Sequence, residues 1–135
     1  MKEQSNQIEL FIDAMPISAN RIWLQNYKTK QTYLNPKYRV FKKIVQLRCA
    51  GTRMPDDWPY CYVQITVHPK RRSGDADNYT KPILDALTYA GFWKDDKVVA
   101  EVRSRFGAPD PDKNGCVLIS VERRETKFAD ANDGN

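Results

Sequence analysis

A single-domain α+β fold follows from three features of this sequence. Four segments alternate apolar and polar residues at the two-residue period of a strand. Two others carry apolar residues at helical spacing, and the order is strand, helix, strand, helix, strand, strand. A chain of 135 residues holds one hydrophobic core. Elements in this order build one mixed sheet with helices packed on it.

Ile8, Leu10 and Ile12 alternate in a first strand over residues 8–14, and Pro16, Ser18 and Asn20 make residues 15–20 a loop. Residues 21–35 have no clear period and read as an irregular excursion, basic and bearing aromatic side chains. Asn35 caps a helix of about four turns with Pro36 in its first position. Val40, Ile44 and Leu47, with Phe41 and Val45, form its apolar stripe; Arg39, Lys42, Lys43 and Gln46 fall opposite. After a turn-rich link, Cys61, Val63, Ile65 and Val67 alternate in a strand over residues 60–68 that Pro69 ends.

A basic loop, Lys70-Arg71-Arg72-Ser73-Gly74, leads into a second helix that Asp77 or Asn78 should cap. Ile83, Leu84, Leu87 and Ala90 give this helix its buried stripe, and Gly91 closes it. Pro82 is compatible with it because amides of a first helical turn have no intrahelical acceptor. Residues 98–106 and 116–123 both alternate and are expected to form a hairpin around the loop 107–115. The domain is expected to span residues 1–124, with a small, polar and disordered tail at 125–135.

Composition excludes several classes. No apolar run approaches the roughly 20 residues that span a bilayer, and the first residues lack a signal peptide's apolar stretch, so the expectation is a cytoplasmic protein with no membrane partner. Cys49, Cys61 and Cys116 lie far apart, which removes zinc knuckles and redox motifs; Cys61 and Cys116 read as buried thiols. His68, the single histidine, removes zinc motifs built on histidine pairs and is expected at the surface or on a phosphate. The net charge of +5 conceals a sharper asymmetry. Residues 21–72 carry 12 Lys or Arg against two acids, whereas residues 73–135 carry nine against 12. A basic front half suits a polyanionic partner, of which nucleic acid is the commonest.

The acids concentrate where the basic run stops. Asp75, Asp77, Asp85, Asp95 and Asp96 fall within residues 75–97. Crowded carboxylates repel one another and call for a compensating cation, and hard divalent ions such as Mg2+ prefer such oxygens. Asp75 and Asp77 precede the second helix, Asp77, Lys81 and Asp85 lie along one helical stripe, and a turn at Gly91-Phe92-Trp93 can return Asp95 and Asp96 towards Asp75. Three or four carboxylates and a lysine are the parts of metal-assisted phosphodiester hydrolysis. An EF-hand is excluded, because Thr80 and Ala86 stand where its loop needs Gly and Glu. A purely structural alternative makes Asp77 a helix cap and Asp85 a partner for Lys81.

The run Asp75-x-Asp77-Asn78-x-x-Lys81-x-x-x-Asp85-Ala86-Leu87-Thr88-x-Ala90-Gly91-Phe92-Trp93-x-Asp95-Asp96-x-x-Val99 resembles the RusA-type Holliday junction resolvases of bacteria and phages. Pro16-x-Ser18-x-Asn20-Arg21 and the basic run before Asp75 are weaker matches. The resemblance implies a homodimeric, Mg2+-dependent endonuclease that cuts four-way DNA junctions by paired symmetric nicks. It aligns Asp75, Asp77 and Asp96 with metal ligands and Lys81 with an essential lysine, and leaves Asn78, Asp85 and Asp95 in supporting roles. Lys37, Arg39, Lys42, Lys70, Arg71 and Arg72 are candidates for phosphate contacts, and Trp23, Tyr27, Tyr33 and Phe92 for stacking on bases at the crossover. The rival readings are a non-catalytic protein that holds branched DNA and a metal-dependent nucleotide phosphohydrolase.

Overall fold

A computed structural model describes residues 5–71, 74–110 and 114–128. The strands are β1 (Gln7–Ile12), β2 (Trp23–Gln25), β3 (Thr32–Leu34), β4 (Tyr60–His68), β5 (Val99–Phe106) and β6 (Cys116–Arg124). The helices are α1 (Pro36–Arg48) and α2 (Thr80–Tyr89), with 3-10 turns at Ala19–Arg21, Ala76–Tyr79 and Asp96–Val98. The α+β class holds: four strands form a mixed sheet in the order β1-β6-β4-β5, and both helices contribute to the core packed against it.

β6 and β4 take the two interior places, and both turn apolar side chains into the core. Cys61, Val63, Ile65 and Val67 are wholly buried, each aliphatic contributing roughly 1.5–3 kcal/mol. Phe41 and Val45 of α1 and Ile83, Ala86 and Leu87 of α2 meet the same core as Val117, Ile119 and Val121 of β6. The other face of the sheet is mixed: Gln7, Glu9, Gln64, Thr66 and Arg105 line it beside the exposed pair Phe11 and Leu118.

Four expectations are corrected. β5 and β6 do not form a hairpin: β5 lies parallel to β4, and β6 inserts between β1 and β4, antiparallel to both. The helical crossover through α2 is what lets β5 run parallel to β4. Residues 21–35 are not irregular throughout, because β2 and β3 pair as a short hairpin. Asn26 builds its turn, its Oδ1 accepting from the amides of Lys28 and Thr29, with Lys30 at a φ of +62°.

The buried stripe of α1 is Tyr38, Phe41 and Val45, while Val40 and Leu47 are 57% and 67% exposed. Tyr38 takes the inward place because its ring packs while its hydroxyl finds a partner. Finally, neither Asp77 nor Asn78 caps α2; a 3-10 turn precedes it, and no side-chain cap bond is made at either start.

Other local readings hold. Asn35 caps α1, its Oδ1 accepting from the Lys37 amide at 3.0 Å, while its Nδ2 donates to the Arg21 carbonyl at 2.9 Å. Pro82 sits buried in the first turn of α2. Gly91, at a φ of +78°, closes α2: its amide donates to the Thr88 carbonyl and that of Phe92 to Leu87. That closure sends Phe92 and Trp93 into the core. All three cysteines are buried and unbridged, and burial pushes the Cys61 thiol up to about 12. Among the described residues no helix is long and apolar enough to cross a membrane.

Candidate active site at the acid cluster

The chain between β4 and α2 carries the first two carboxylates. After Gly74, at a φ of +72°, Asp75 is extended (φ −108°, ψ 143°) and residues 76–79 wind as a 3-10 turn. Two contacts hold that turn against β5: Thr80 Oγ1 lies 2.5 Å from Ser104 Oγ, and Tyr79 meets Phe106 edge to face at 6.2 Å. Asp75 and Asp77 thereby line one open cleft with Ser104 and Phe106. Both are exposed, and neither carboxylate is used to cap the helix it precedes. Half of the structural alternative therefore fails: Asp77 has no capping bond.

Asp75 also borders a second cleft, which it shares with Asn78, Arg21, Lys37 and Ser18. Two cations thus share that cleft with Asp75. The sequence signals Arg21 only through the weak Pro16-x-Ser18-x-Asn20-Arg21 match. Asn35 explains how it arrives, since the bond to the Arg21 carbonyl ties the first 3-10 turn to the start of α1. Lys37 follows on the first turn of that helix.

Lys81 and Asp85 belong to a third cleft, with Trp23, Tyr38, Lys42 and Tyr89. Lys81 Nζ lies 3.4 Å from Asp85 Oδ2, which also accepts the Tyr38 hydroxyl at 3.3 Å. Burial first, then the Asp85 charge and hydrogen bond, push the Tyr38 phenol up to about 12. Lys42 is held over the rings of Tyr38 and Tyr89, 4.7 and 5.0 Å from their centroids. The other half of the structural alternative holds, because Asp85 does pair with Lys81.

Asp95 and Asp96 stand elsewhere. Asp95 Oδ1 accepts from the Lys97 amide at 2.9 Å and so builds the turn that carries Asp96. That turn runs into β5 at Val99, whereas the acid pair lies beside Ser104, about 16 Å further along the strand. The fold-back expected of residues 91–96 does not gather the acids. Among the described residues no three of His, Cys, Asp and Glu stand close enough to hold a metal. Two carboxylates still fit Mg2+, which keeps several waters and commonly takes one or two protein ligands.

Of the basic candidates, Arg39, Lys70 and Arg71 are exposed, and Arg72 lies outside the described residues. His68 is half-buried with its Nδ1 2.9 Å from the Ala108 carbonyl oxygen, which ties the end of β4 to the chain after β5. Phe92 is wholly buried and unavailable for stacking, while Trp23, Tyr27 and Tyr33 are exposed.

Comparison with known proteins meets this geometry. A family model described as Endodeoxyribonuclease RusA matches residues 13–122. The proteins named Crossover junction endodeoxyribonuclease RusA from Escherichia coli (strain K12) and from Enterobacteria phage 82 are each 50% identical to this chain over 42 residues. That of Escherichia coli O139:H28 is 48% identical over 42 residues. Each of these matches covers 30% of this chain and 35% of the relative's length. The match of the family model over most of the domain shows that the chain belongs to the RusA endodeoxyribonuclease family.

Proposed function

We propose that the protein is a Mg2+-dependent, structure-selective endodeoxyribonuclease that resolves four-way DNA junctions by paired symmetric nicks in a bacterial cytoplasm. One observation carries the reading: Asp75 and Asp77 share a cleft and make no capping bond, and Asp75 shares a second cleft with the cations Arg21 and Lys37. A protein that only held DNA would gain nothing from two exposed carboxylates beside phosphate. A nucleotide phosphohydrolase would not need 12 basic residues across residues 21–72. Family membership and the names of the relatives support the same substrate.

In this reading Asp75 and Asp77 hold the ion, which when bound supplies a Lewis acid and lowers the pKa of a water. Arg21 and Lys37 position the scissile phosphate, and the exposed Lys70, Arg71 and Arg39 extend the phosphate track. Lys81 is 73% exposed on one side of its pairing with Asp85, so it can reach a phosphate while Asp85 limits its freedom. Asn78, in the Arg21 cleft, supports the same phosphate side.

Asp96 completes the ligand set by motif position only. A single chain leaves it at the far end of β5, so the proposal includes a two-fold dimer, which also matches the two-fold symmetry of a junction. The test is cleavage of a labelled synthetic junction beside a linear duplex of the same sequence, with Mg2+ or with chelator. Paired nicks confined to the junction and requiring metal support the reading. Tight junction binding without nicks under any divalent ion would make the protein an architectural binder.

A further inference from the structure

The cleft around Lys81 has a composition that the cleavage reaction does not by itself require. Its walls are aromatic: Trp23 on β2 is 64% exposed and Tyr89 at the end of α2 is 48% exposed. The other tryptophans, Trp58 and Trp93, are 3% and 5% exposed, so Trp23 is the one indole offered to a partner. These rings offer flat π surface on which a base can stack. Its mouth is cationic, with Lys42 held over Tyr38 and Tyr89 and Lys81 over Asp85. The one acid in it, Asp85, is already engaged by Lys81 and by the Tyr38 hydroxyl, and a carboxylate has acceptor capacity left for a further donor.

The cleft is also pre-shaped. Trp23 pairs with Leu34 across the hairpin, and the Asn35 amide donates to the Ile22 carbonyl at 2.8 Å, so the hairpin is fixed to the start of α1. Asp77 and Lys81 are four residues apart, which puts the cleft roughly 6–8 Å along the chain from the acid pair. A flat π surface, two ammonium groups and one hydrogen-bond acceptor together match a nucleotide: a base, its phosphate and an exocyclic amine.

We propose that this cleft takes a single unstacked base of the DNA substrate, laid against Trp23, with its adjoining phosphate at Lys42 and Lys81. The proposal rests on the nuclease reading, and it makes the protein select branched over linear DNA by capturing a base that only an open crossover releases. A duplex keeps both faces of its interior bases stacked and cannot offer one.

Trp23 reports on this directly, because acrylamide reaches it in the free protein and not the two buried indoles. Tryptophan quenching is measured without divalent metal, with a four-way junction and with a linear duplex of the same sequence, alongside junction affinity by fluorescence anisotropy. The expected result is that the junction shields Trp23 and the duplex does not. Trp23→Ala should weaken junction binding roughly tenfold, the size of one base–aromatic stack, and Trp23→Phe should recover most of it. Junction binding that leaves Trp23 fully quenchable, with Trp23→Ala as tight as wild type, would overturn the base cleft and leave the nuclease reading standing. Failure of the wild-type protein to bind either DNA would overturn both.

Discussion

Two clefts flank the start of α2, and their acids are treated in opposite ways. In one, Asp85 is engaged by Lys81 at 3.4 Å and by Tyr38 at 3.3 Å, and Lys42 rests on two rings. In the other, Asp75 and Asp77 face solvent and cap nothing. A side chain whose charge the fold already answers can be explained by the fold; two neighbouring carboxylates with no hydrogen bond or ion pair among the described residues point to a cation from outside. Asp95 and Asp96 repeat the contrast on a smaller scale, one building its turn and the other not.

The sharpest way to break the comparison is to neutralise one acid in each cleft. Asp75→Asn should cost at least about a hundredfold in junction cleavage, since a metal supplies several kcal/mol of transition-state stabilisation, with an unchanged melting temperature. Asp85→Asn should lower the melting temperature, because it removes the charge that pairs with Lys81 and leaves the Tyr38 hydroxyl a neutral, weaker acceptor. Scanning calorimetry beside a cleavage assay reads both, and a destabilised Asp75→Asn would make the free pair structural after all.

A second test concerns Asp96. Neither Asp77→Asn nor Asp96→Asn alone should cut. If the site is shared across a dimer, mixing the two should restore cleavage, because mixed dimers contain one intact site. Persistent inactivity of exchanged dimers would return Asp96 to its own chain's site. A smaller effect is expected from Arg21→Ala with Lys37→Ala: weaker junction binding and a salt dependence shallower by about one unit per lost phosphate contact. An unchanged slope would remove them from the interface.

The smallest effect isolates the engaged cleft. Folding raises the Tyr38 phenol from its ordinary 10.0 to about 12. Its contribution is therefore complete below about pH 10 and is lost as pH climbs towards 12, when the unfolded chain ionises first. Tyr38→Phe should cost about 1 kcal/mol near neutrality, through one lost hydrogen bond, and flatten the alkaline decline in stability. Parallel melting curves across pH 9–12 would contradict the raised phenol, which burial produces first and the Asp85 charge and hydrogen bond reinforce.

Much of this molecule was legible in the sequence because its signals are local. Alternation in β1, β4, β5 and β6, the Asn35-Pro36 start and the Gly91 stop all depend on neighbouring residues. What escaped depends on residues far apart. Strand alternation says that 99–106 and 116–124 are strands but not which strand each pairs with, and the crossover through α2 decided that. β2 and β3 are three residues each and too short to show a period. At the site, the Asp75–Asp77 pair was visible as spacing, yet Arg21 reaches it only through the Asn35 bonds, and the distance of Asp96 is set by the length of β5.

The central claim is that the free acid pair binds a divalent ion. Electron paramagnetic resonance of Mn2+, titrated into the protein with its junction present, tests it without depending on turnover. The expected result is bound Mn2+ in the wild type and its loss in Asp77→Asn, with junction affinity equal or tighter. Equal Mn2+ binding by wild type and Asp77→Asn would contradict it and move the metal, and the chemistry, away from this cleft.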